Sequence, residues 1–503
     1  MFSIYVPYAS CYGLFERPKR AAMTRPLSST STLDLGIDRA DRESIQEQIA
    51  RQIRELVLQG RLRPQAKLPS SRVLSEELGI ARATVVAAFE QLSGEGYLET
   101  RSGSATRVAA ELPEALLSTA PAALSRQPIR PIRNAVKRVP ARPFRAGLVD
   151  WEHFPHDEWG RLLGRYWRNP PITLLEHGDV FGWLPFRAAI AAHLFEWRGI
   201  ACEPEQVIIT AGGMDAFDLI HRAVLKPGDL LWLEEPGYAT ARRVFANGGV
   251  KVVGIPIDAE GLLVIAGRRR APNAKAAFVT PARQYPTGVT MPLARRLELL
   301  DWANEARAIV IEDDYDSEYR YVGRPLPALM SLDRQARVIY SGTFSKVFSP
   351  IVRLGFIVVP KNLTEVFRHE RANHGAPPSL MVQPALAEFM QSGAFAIHIR
   401  RMRRIYAGRR QALIRQLAPS DGRLFKLDAS PSGLMLLLRL RETQSDETIA
   451  ANLRTLNIET QTLSSHFAGS RKEQGLLLSF AGFNDKDLCS AASTVLRVLQ
   501  QDN

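Results

Sequence analysis

The sequence predicts a small N-terminal domain of the α+β class and a larger C-terminal domain of the α/β class. Residues 39–108 show helical apolar periodicity followed by two short strand-like segments. From residue 146 onwards, apolar strand-like runs alternate with helical segments, which is typical of a mostly parallel sheet. The intervening residues 109–145 are rich in proline, alanine and arginine and predict an extended linker. A chain of 503 residues is also too long for one ordinary domain.

Charge and cysteine content narrow the class of protein. The net charge is +13 and the pI is about 9.8, which permits a polyanionic partner. Residues 33–108 contain eleven basic and eleven acidic residues, whereas residues 109–146 contain seven basic and two acidic ones. A DNA-binding face in the first domain would therefore depend on the arrangement of its charges. Cys11, Cys202 and Cys489 form no disulfide framework and no metal-ligand pair, which fits a reducing compartment.

The N-terminal tail, residues 1–38, is predicted to be disordered. Its first 22 residues make a poor secretory signal because charged residues interrupt them, and Met23 follows directly as an alternative start. No apolar run in the chain approaches the roughly 18 residues that a membrane span needs. We therefore expect a cytoplasmic protein without a membrane partner.

The order of segments within residues 39–108 indicates a winged helix-turn-helix. Three helical segments are followed by two short strands that would form the wing. The segments are, in order, 43–60, the helix capped by Ser70 or Ser71, the helix from residue 81, and the strands 97–100 and 106–108. In this fold the second helix of the helix-turn-helix pair enters the DNA major groove by its N-terminal end.

The residues expected at the DNA lie around the start of that helix. Arg82 and Thr84 stand at its N-terminal end, while Arg72 and Arg101 flank it from the preceding helix and the wing. We also place Ser70 and Ser71 at the double-stranded DNA.

Several short runs in this domain closely resemble the DNA-binding domain of GntR-type regulators. They are Leu68-Pro69-Ser70-Ser71-Arg72, Glu76-Glu77-Leu78-Gly79, the Arg82-x-Thr84-Val85 pattern and Glu95-Gly96-Tyr97-Leu98. Ala81 and Ala105 depart from the family pattern, and each removes a hydroxyl that could cap a helix or contact a phosphate. Neither change breaks the predicted fold.

Five apolar runs of the C-terminal part are predicted strands. They are 207–210, 229–234, 276–280, 308–312 and 337–340. Ligands bind at the carboxyl ends of the strands in such sheets. Gly212 and Gly213 follow the first run and precede a helix, where bare backbone amides suit a phosphate.

Carboxylates and a lysine follow two of these strands. Asp313 or Asp314 would need a partner at a buried strand end, and a protonated pyridine nitrogen is a suitable one. Lys346 ends a run of small hydroxyl residues, and Arg353 lies seven positions further on. A lysine amine attacks an aldehyde, while hydroxyls and a guanidinium hold a phosphate. The sequence alone does not separate the two adjacent aspartates.

Taken in order, these elements resemble the fold-type I aminotransferases, which bind pyridoxal 5′-phosphate. The details resemble the MocR branch of GntR regulators, in which such a domain is fused to a winged helix. The similar stretches are Thr280-Pro281, 284–288, 312–318 and 342–346. The resemblance covers about residues 40–500 and implies a large aminotransferase-like domain over 146–370, with a smaller α+β subdomain over 371–503.

The resemblance implies a role for each matching residue. Lys346 would carry pyridoxal 5′-phosphate as an aldimine, and Asp313, with Asp314 as the alternative, would pair with the pyridine nitrogen. Tyr315 would approach the ring hydroxyl, and Tyr238 would stack on the ring. The phosphate would be held by Gly213, Met214, Thr343, Ser345 and Arg353.

Three positions depart from the family patterns, and the last of them concerns the substrate. Tyr285 stands where true aminotransferases commonly have asparagine, and Arg283 stands where the MocR branch often has histidine. Leu477 occupies the place of the arginine that binds the substrate carboxylate in many of the enzymes, and Arg471 is a weak substitute. The cofactor residues are therefore intact, whereas the substrate clamp is doubtful.

These observations together predict a DNA-binding transcription regulator that binds pyridoxal 5′-phosphate and senses an amino compound or the cofactor itself. Any catalysis would be limited to an aminotransferase-type half-reaction. The alternative is an active aminotransferase with an attached DNA-binding module. By resemblance, the chain would form a head-to-tail homodimer associated with the nucleoid.

Overall fold

The structure is a computed structural model that describes most of the chain. The described residues are 33, 35–39, 41, 43–100, 105–112, 141–174, 178–323, 327–375, 378–470 and 472–502. The chain divides into two compact units, residues 1–137 and 138–503. The predicted contact Arg101 and most of the predicted linker lie outside the described residues.

The first unit contains the predicted helices and strands in the predicted order. They are α1 (Ile45–Leu58), α2 (Ser71–Leu78), α3 (Arg82–Gly94), β1 (Leu98–Glu99) and β2 (Arg107–Val108). The two strands pair antiparallel, as a wing requires. The prediction of a winged helix-turn-helix is therefore confirmed.

Local sequence explains where these helices begin and end. Ser44 and Glu47 form a reciprocal capping box at the start of α1. Ser70 caps α2 by accepting a hydrogen bond from the backbone of Val73, and Gly79 ends it with φ +61°. Ala81 gives α3 no side-chain cap, as its missing hydroxyl predicts.

The core of this unit also includes part of the predicted tail. Leu33 and Leu35 are buried with residues of α1, α3 and the wing, among them Ile49 and Phe89. The packed unit therefore extends on its N-terminal side to Leu33, whereas the sequence analysis places its start at residue 39.

The second unit contains a large mixed sheet, a smaller sheet and surrounding helices. Its helices are α4 (His156–Arg168), α5 (Leu184–Arg198), α6 (Gly213–Val224), α7 (Ala239–Asn247), α8 (Val264–Arg270), α9 (Leu293–Ala306), α10 (Leu329–Leu332), α11 (Phe344–Val347), α12 (Thr364–Asn373), α13 (Gln383–Gln391), α14 (Ala394–Leu417), α15 (Asp446–Thr455) and α16 (Asp485–Gln501). Its strands are β3 (Val207–Thr210), β4 (Leu230–Glu235), β5 (Lys251–Asp258), β6 (Gly261–Leu262), β7 (Ala276–Val279), β8 (Ile309–Asp314), β9 (Val338–Thr343), β10 (Gly355–Val358), β11 (Lys426–Asp428), β12 (Met435–Arg439), β13 (Gln461–Thr462) and β14 (Gly475–Ser479).

The large sheet has the strand order β3-β10-β9-β8-β7-β4-β5-β6. Strands β9, β8, β7, β4 and β5 pair in parallel, as the alternating pattern predicts. Strand β10 runs antiparallel to both of its neighbours, and β6 runs antiparallel to β5. Neither β5 nor β10 is among the strands predicted from the sequence.

Both faces of the large sheet are buried, because successive side chains of its central strands point to opposite sides. In β8, Ile311 packs in a cluster with Phe217 and Phe245. The preceding Val310 packs on the other face with Trp232 and Trp302, whose rings stack with centroids 3.7 Å apart. This double burial fixes the carboxyl ends of the strands at one edge.

The smaller sheet is antiparallel, with the order β11-β12-β14-β13. It lies within the predicted small subdomain and packs on α14 and α16. Phe144 is fully buried in this core and bridges to Ser479, so the last residues of the predicted linker belong to the packed structure. Throughout the described ranges, no helix is both long and apolar enough to cross a membrane.

Candidate functional site

A cavity of about 450 Å³ lies at the carboxyl ends of β3, β8 and β9. All nine residues predicted to hold the cofactor line it. They are Gly213, Met214, Tyr238, Asp313, Tyr315, Thr343, Ser345, Lys346 and Arg353. The fold thus brings together side chains that are up to 140 positions apart in the sequence.

Lys346 lies on α11, the short helix that begins immediately after β9. Burial lowers the pKa of its amine, although Asp316 acts in the opposite direction. A lowered pKa increases the fraction of the neutral, nucleophilic amine. A Cβ on Gly147, where φ is +86°, would lie 3.5 Å from the Lys346 Nζ atom, so the backbone approaches the amine closely.

The two adjacent aspartates have different surroundings. Asp314 forms an ion pair with Arg198 at 2.7 Å and accepts hydrogen bonds from the hydroxyls of Tyr340 and Ser317, both at 2.8 Å. Asp313 lines the cavity, and no ion pair neutralises it within the described part of the chain. Burial, followed by repulsion from Asp314, raises the pKa of Asp313 to about 7. Asp313 is therefore the carboxyl that is available to a cationic ligand.

Tyr315 is held by Arg283. The Arg283 Nη1 atom donates to the Tyr315 hydroxyl at 2.8 Å, and this hydroxyl donates to the Arg283 carbonyl oxygen at 3.2 Å. Arg283 also donates to the carbonyl oxygens of Ser432 and Met435, both at 3.1 Å. The arginine thereby fixes Tyr315 against the segment that leads into β12.

The cavity lining also contains groups that are suited to a phosphate. Gly212, with φ +100°, precedes α6 without a side-chain cap, so the first-turn amides of this helix have no intrahelical acceptor. Thr343 accepts a hydrogen bond from the Ser345 amide at 3.1 Å, which orders the start of α11. The nearby Asp215 is neutralised by Arg371 at 2.7 Å.

Arg353 adds a cation to the lining of the cavity. It follows the short 3-10 helix Pro350–Val352 and has φ +50°, a left-handed conformation that is uncommon for an arginine. No ion pair or hydrogen bond of its side chain occurs among the residues that the structure describes. A strained backbone that presents an unpaired guanidinium to a cavity indicates a binding role.

Aromatic rings form another wall. Tyr238 contacts Phe217 and Tyr285 edge-to-face, with ring centroids 6.2 and 5.4 Å apart. Tyr285 contacts Tyr315 in the same way at 5.7 Å, and its hydroxyl donates to the Gln461 side chain at 3.2 Å. This arrangement offers aromatic surface to a planar ring.

The predicted DNA contacts of the first unit cluster at the start of α3. The exposed Arg82 donates from Nε to the Ser71 hydroxyl at 3.3 Å, and Thr84 lies in the same helical turn. Arg72 is exposed and pairs with Glu76 at 3.1 Å, while Ser70 caps α2. These five residues share the N-terminal region of the helix pair, whereas Arg101 is outside the described part.

Both units match protein-family models. Residues 45–108 match the bacterial regulatory proteins of the gntR family, and residues 173–492 match aminotransferase class I and II. The chain is 36% identical over 464 residues to the probable rhizopine catabolism regulatory protein MocR of Rhizobium meliloti, covering 90% of this chain and 93% of the relative. The chain belongs to the MocR subfamily of GntR-type transcriptional regulators.

Further relatives agree with this assignment. The pyridoxine biosynthesis transcriptional regulator PdxR of Corynebacterium glutamicum is 35% identical over 461 residues, covering 90% of this chain and 96% of the relative. Among solved structures, α-aminoadipate aminotransferase LysN from Thermus thermophilus, complexed with N-(5′-phosphopyridoxyl)-L-leucine, matches with 27% identity and a TM-score of 0.65. That match covers 71% of this chain and 92% of LysN. This MocR-type protein is thus a DNA-binding transcription regulator with an aminotransferase-type second unit.

The substrate-clamp position of this MocR-type regulator is apolar. Leu477 is buried in β14, pairs in register with Leu437 and Gln461, and packs with Leu463. It lies on the face of the small sheet that carries the cavity residues Met435 and Gln461. Arg471, the weak substitute, is outside the described residues.

Sequence reasoning misses several residues of the cavity in this regulator. Gln461, Met435 and Gly147 come from the small sheet and from the chain just after the linker, and Ser341 hydrogen-bonds Asp313. Their residue types carry no chemical signature, and their sequence distance from Lys346 conceals their proximity. Ser341 alone had a signal, since it begins the hydroxyl-rich run that ends at Lys346.

Proposed function

We propose that this MocR-type regulator binds pyridoxal 5′-phosphate in the cavity and that occupancy of the cavity controls its action on DNA. The observation that carries the proposal is that one cavity brings three functional groups together. The cavity is lined by an amine whose pKa is lowered, by a buried carboxyl and by a guanidinium, and neither the carboxyl nor the guanidinium has an ion pair among the described residues.

The residues fit this cofactor at each of its polar groups. Asp313 would pair with the pyridine nitrogen, and Lys346 would bind the aldehyde carbon. The amides at the start of α6, the hydroxyls of Thr343 and Ser345, and Arg353 would hold the phosphate. When bound, pyridoxal 5′-phosphate supplies an electrophilic aldehyde on a ring that accepts electrons.

The environment of Leu477 supports sensing over turnover. An amino acid substrate needs a fixed cation for its carboxylate, because a bidentate contact orients it for proton transfer. Here the corresponding position is an apolar cluster, and the buried Arg283 is already committed to Tyr315 and to two backbone carbonyls. The signal is therefore the cofactor itself or an amine that does not rely on this clamp.

Exposed apolar side chains of the second unit support a homodimer. Trp167, Ile172 and Phe195 are 71%, 71% and 68% exposed, and Ile351, two residues before Arg353, is 69% exposed. Apolar surface of this kind marks interaction sites. We infer a head-to-tail arrangement of two chains in the cytoplasm, and sedimentation of the purified protein would test whether two chains associate.

Cofactor binding is tested by titrating the protein with pyridoxal 5′-phosphate and recording near-visible absorbance. After borohydride reduction, peptide mapping is expected to find the phosphopyridoxyl group on Lys346. The Lys346→Ala variant would lose the absorbance band, whereas Lys361→Ala, which removes an exposed lysine paired with Glu203, would keep it. A band that persists in Lys346→Ala contradicts the assignment of this lysine. Sustained conversion of an amino acid and a keto acid would contradict sensing without turnover.

A further inference from the structure

A strongly basic surface lies on α14, far in sequence from the helix-turn-helix. Its first half exposes Arg400, Arg401, Arg403 and Arg404, which we call the arginine face. The 24 residues of α14 contain no aspartate or glutamate. No ion pair or hydrogen bond involves any of these four side chains within the described part of the chain.

Packing of the domain does not explain this concentration of charge. The buried side of α14 consists mainly of apolar and aromatic residues, including Phe395, Ile399, Met402, Tyr406 and Leu413. The arginine face is exposed, although Arg401 also lines a groove with Glu158 and His398. Pairs of its members stand three and four positions apart, so that their like charges repel. If these arginines only kept the helix solvated, their like charges would not need to stand so close together.

Other long helices of the unit have surfaces of mixed charge. In α9, Arg295 pairs with Glu298 of the same helix and with Asp258 and Glu260 of the neighbouring hairpin. Helix α16 carries both acidic and basic residues. Among the described helices of the second unit, the short α7 and α8 also lack acidic residues, but α14 is the only one of ten or more residues that does.

We propose that the arginine face of α14 is a second surface for double-stranded DNA, which contacts the phosphate backbone without reading bases. Duplex DNA presents one negative charge per about 1.7 Å of its axis. A helix rises about 1.5 Å per residue, so Arg400 and Arg404 lie about 6 Å apart along α14 and face several phosphates at once. Arginine suits this contact because its guanidinium binds phosphate with two parallel hydrogen bonds.

The burial of the apolar face of α14 favours DNA over an anionic membrane as the partner. Helices that lie in a membrane surface insert a free apolar face beneath the headgroups. The apolar face of α14 is already buried in the domain core. The protein is in addition a DNA-binding regulator, so a polyanion is present in its working complex.

The test compares the full-length protein with two variants that carry the same change in net charge. The first is Arg400→Gln with Arg401→Gln, Arg403→Gln and Arg404→Gln. The control is Arg269→Gln with Arg334→Gln, Arg454→Gln and Arg497→Gln, four exposed arginines that are dispersed over the second unit and have no ion pair among the described residues. Fluorescence anisotropy measures binding to a long random-sequence duplex over a series of KCl concentrations.

Each phosphate contact contributes about 0.9 to the slope of log affinity against log salt concentration. We expect the first variant to have a shallower slope, reduced in magnitude by about 2 to 4, and an affinity that is at least about tenfold weaker at moderate salt. Replacing the same four arginines by lysine is expected to retain most of the slope. Unfolding temperatures of all variants are expected to match that of the wild type.

Four results would overturn the proposal. One is an unchanged slope in the first variant, and another is an equal loss in the control, which would indicate a general effect of net charge. The third is a changed sedimentation coefficient of the first variant without DNA, which would show that the arginine face lies between subunits. Loss of binding to anionic vesicles with unchanged DNA binding would assign the face to a membrane instead.

Discussion

At the scale of single residues, Asp313 and Asp314 show how neighbouring carboxylates acquire different tasks. Asp314 points into the protein and neutralises Arg198, with both side chains at most 4% exposed. Asp313 points into the cavity, where no cation of the described chain pairs with it. Strand geometry causes this division, because successive side chains of β8 point to opposite faces.

Removing the buried carboxylate of Asp314 should therefore destabilise the protein. Asp314→Asn removes the charge of the carboxylate that pairs with the buried Arg198 at 2.7 Å, and we expect a loss of about 3 kcal/mol or more in the free energy of unfolding. Asp218→Asn is the matched control, because Asp218 pairs with Arg222 at the surface with side chains 49% and 42% exposed. Its expected loss is below about 1 kcal/mol. Urea unfolding measures both, and equal losses would contradict the buried role of Asp314.

Asp313 gives the cofactor-free protein a characteristic pH dependence. Its pKa is raised from 3.8 to about 7, and burial likewise raises the pKa of Glu234 to about 7 and of Asp316 to about 6. Between about pH 4 and the raised pKa of each carboxyl, the folded state keeps a proton on that carboxyl that the unfolded state has released. The contribution of these three carboxyls to stability therefore falls as the pH rises from about 4 to about 7, whereas His398 and His466, whose pKa burial lowers to about 4, act in the opposite direction.

Asp313→Asn should reduce this fall, because it removes one of the three carboxyls. The variant is expected to be more stable than the wild type near neutral pH in the absence of cofactor, and to bind pyridoxal 5′-phosphate more weakly. Unfolding free energies at several pH values, together with an absorbance titration, measure both effects. An unchanged pH profile would show that Asp313 is ionised in the folded protein throughout this range.

At the scale of elements, Arg283 connects the loop after β7 to the segment before β12. Its guanidinium leaves no room near Gly433, where φ is +89° and an added Cβ would clash with the Arg283 Nε atom. This glycine is therefore required both by its backbone conformation and by the neighbouring side chain. The contact couples Tyr315 in the cavity to the position of the small sheet.

Gly433→Ala should accordingly displace Arg283 and release Tyr315. We expect it to destabilise the protein by about 1–3 kcal/mol more than Gly228→Ala, because overpacking adds to backbone strain. Gly228 has a similar φ of +92° but no neighbouring atom within 4 Å of an added Cβ. We also expect weaker binding of pyridoxal 5′-phosphate in Gly433→Ala alone. Equal effects of both substitutions would mean that Arg283 moves aside without consequence.

The elements also show how far the sequence predicts this molecule. The helix order of the first unit and the parallel strands β4, β7, β8 and β9 follow from periodicity. The double glycine, the adjacent aspartates and Lys346 are candidates because they follow predicted strands, whereas the individual roles in cofactor binding are implied by the resemblance to aminotransferases. Strand β10 is missed because four apolar residues after a turn also fit other structures. Gln461 and Met435 are missed because their roles arise only when the small sheet packs beside the cavity, which no local pattern encodes.

At the scale of the whole molecule, the two units must be coupled if the cavity regulates DNA binding. A ligand shifts an equilibrium only through different affinities for its two states. If pyridoxal 5′-phosphate changes the DNA affinity by some factor, DNA must change the affinity for pyridoxal 5′-phosphate by the same factor. This requirement holds for any arrangement of the units and for either sign of the effect.

Reciprocity is therefore the decisive measurement on the full-length protein. We expect the operator affinity with and without cofactor, and the cofactor affinity with and without operator, to change by one common factor, typically about 5- to 150-fold. Lys346→Ala should abolish this coupling while retaining DNA binding by the cofactor-free protein. Arg82→Ala should weaken operator binding by about 1–3 kcal/mol if it reads a base, and should leave cofactor binding unchanged in the absence of DNA. A coupling factor of one in the wild type would show that cofactor binding does not change the operator affinity. Cofactor binding and DNA binding would then be independent activities.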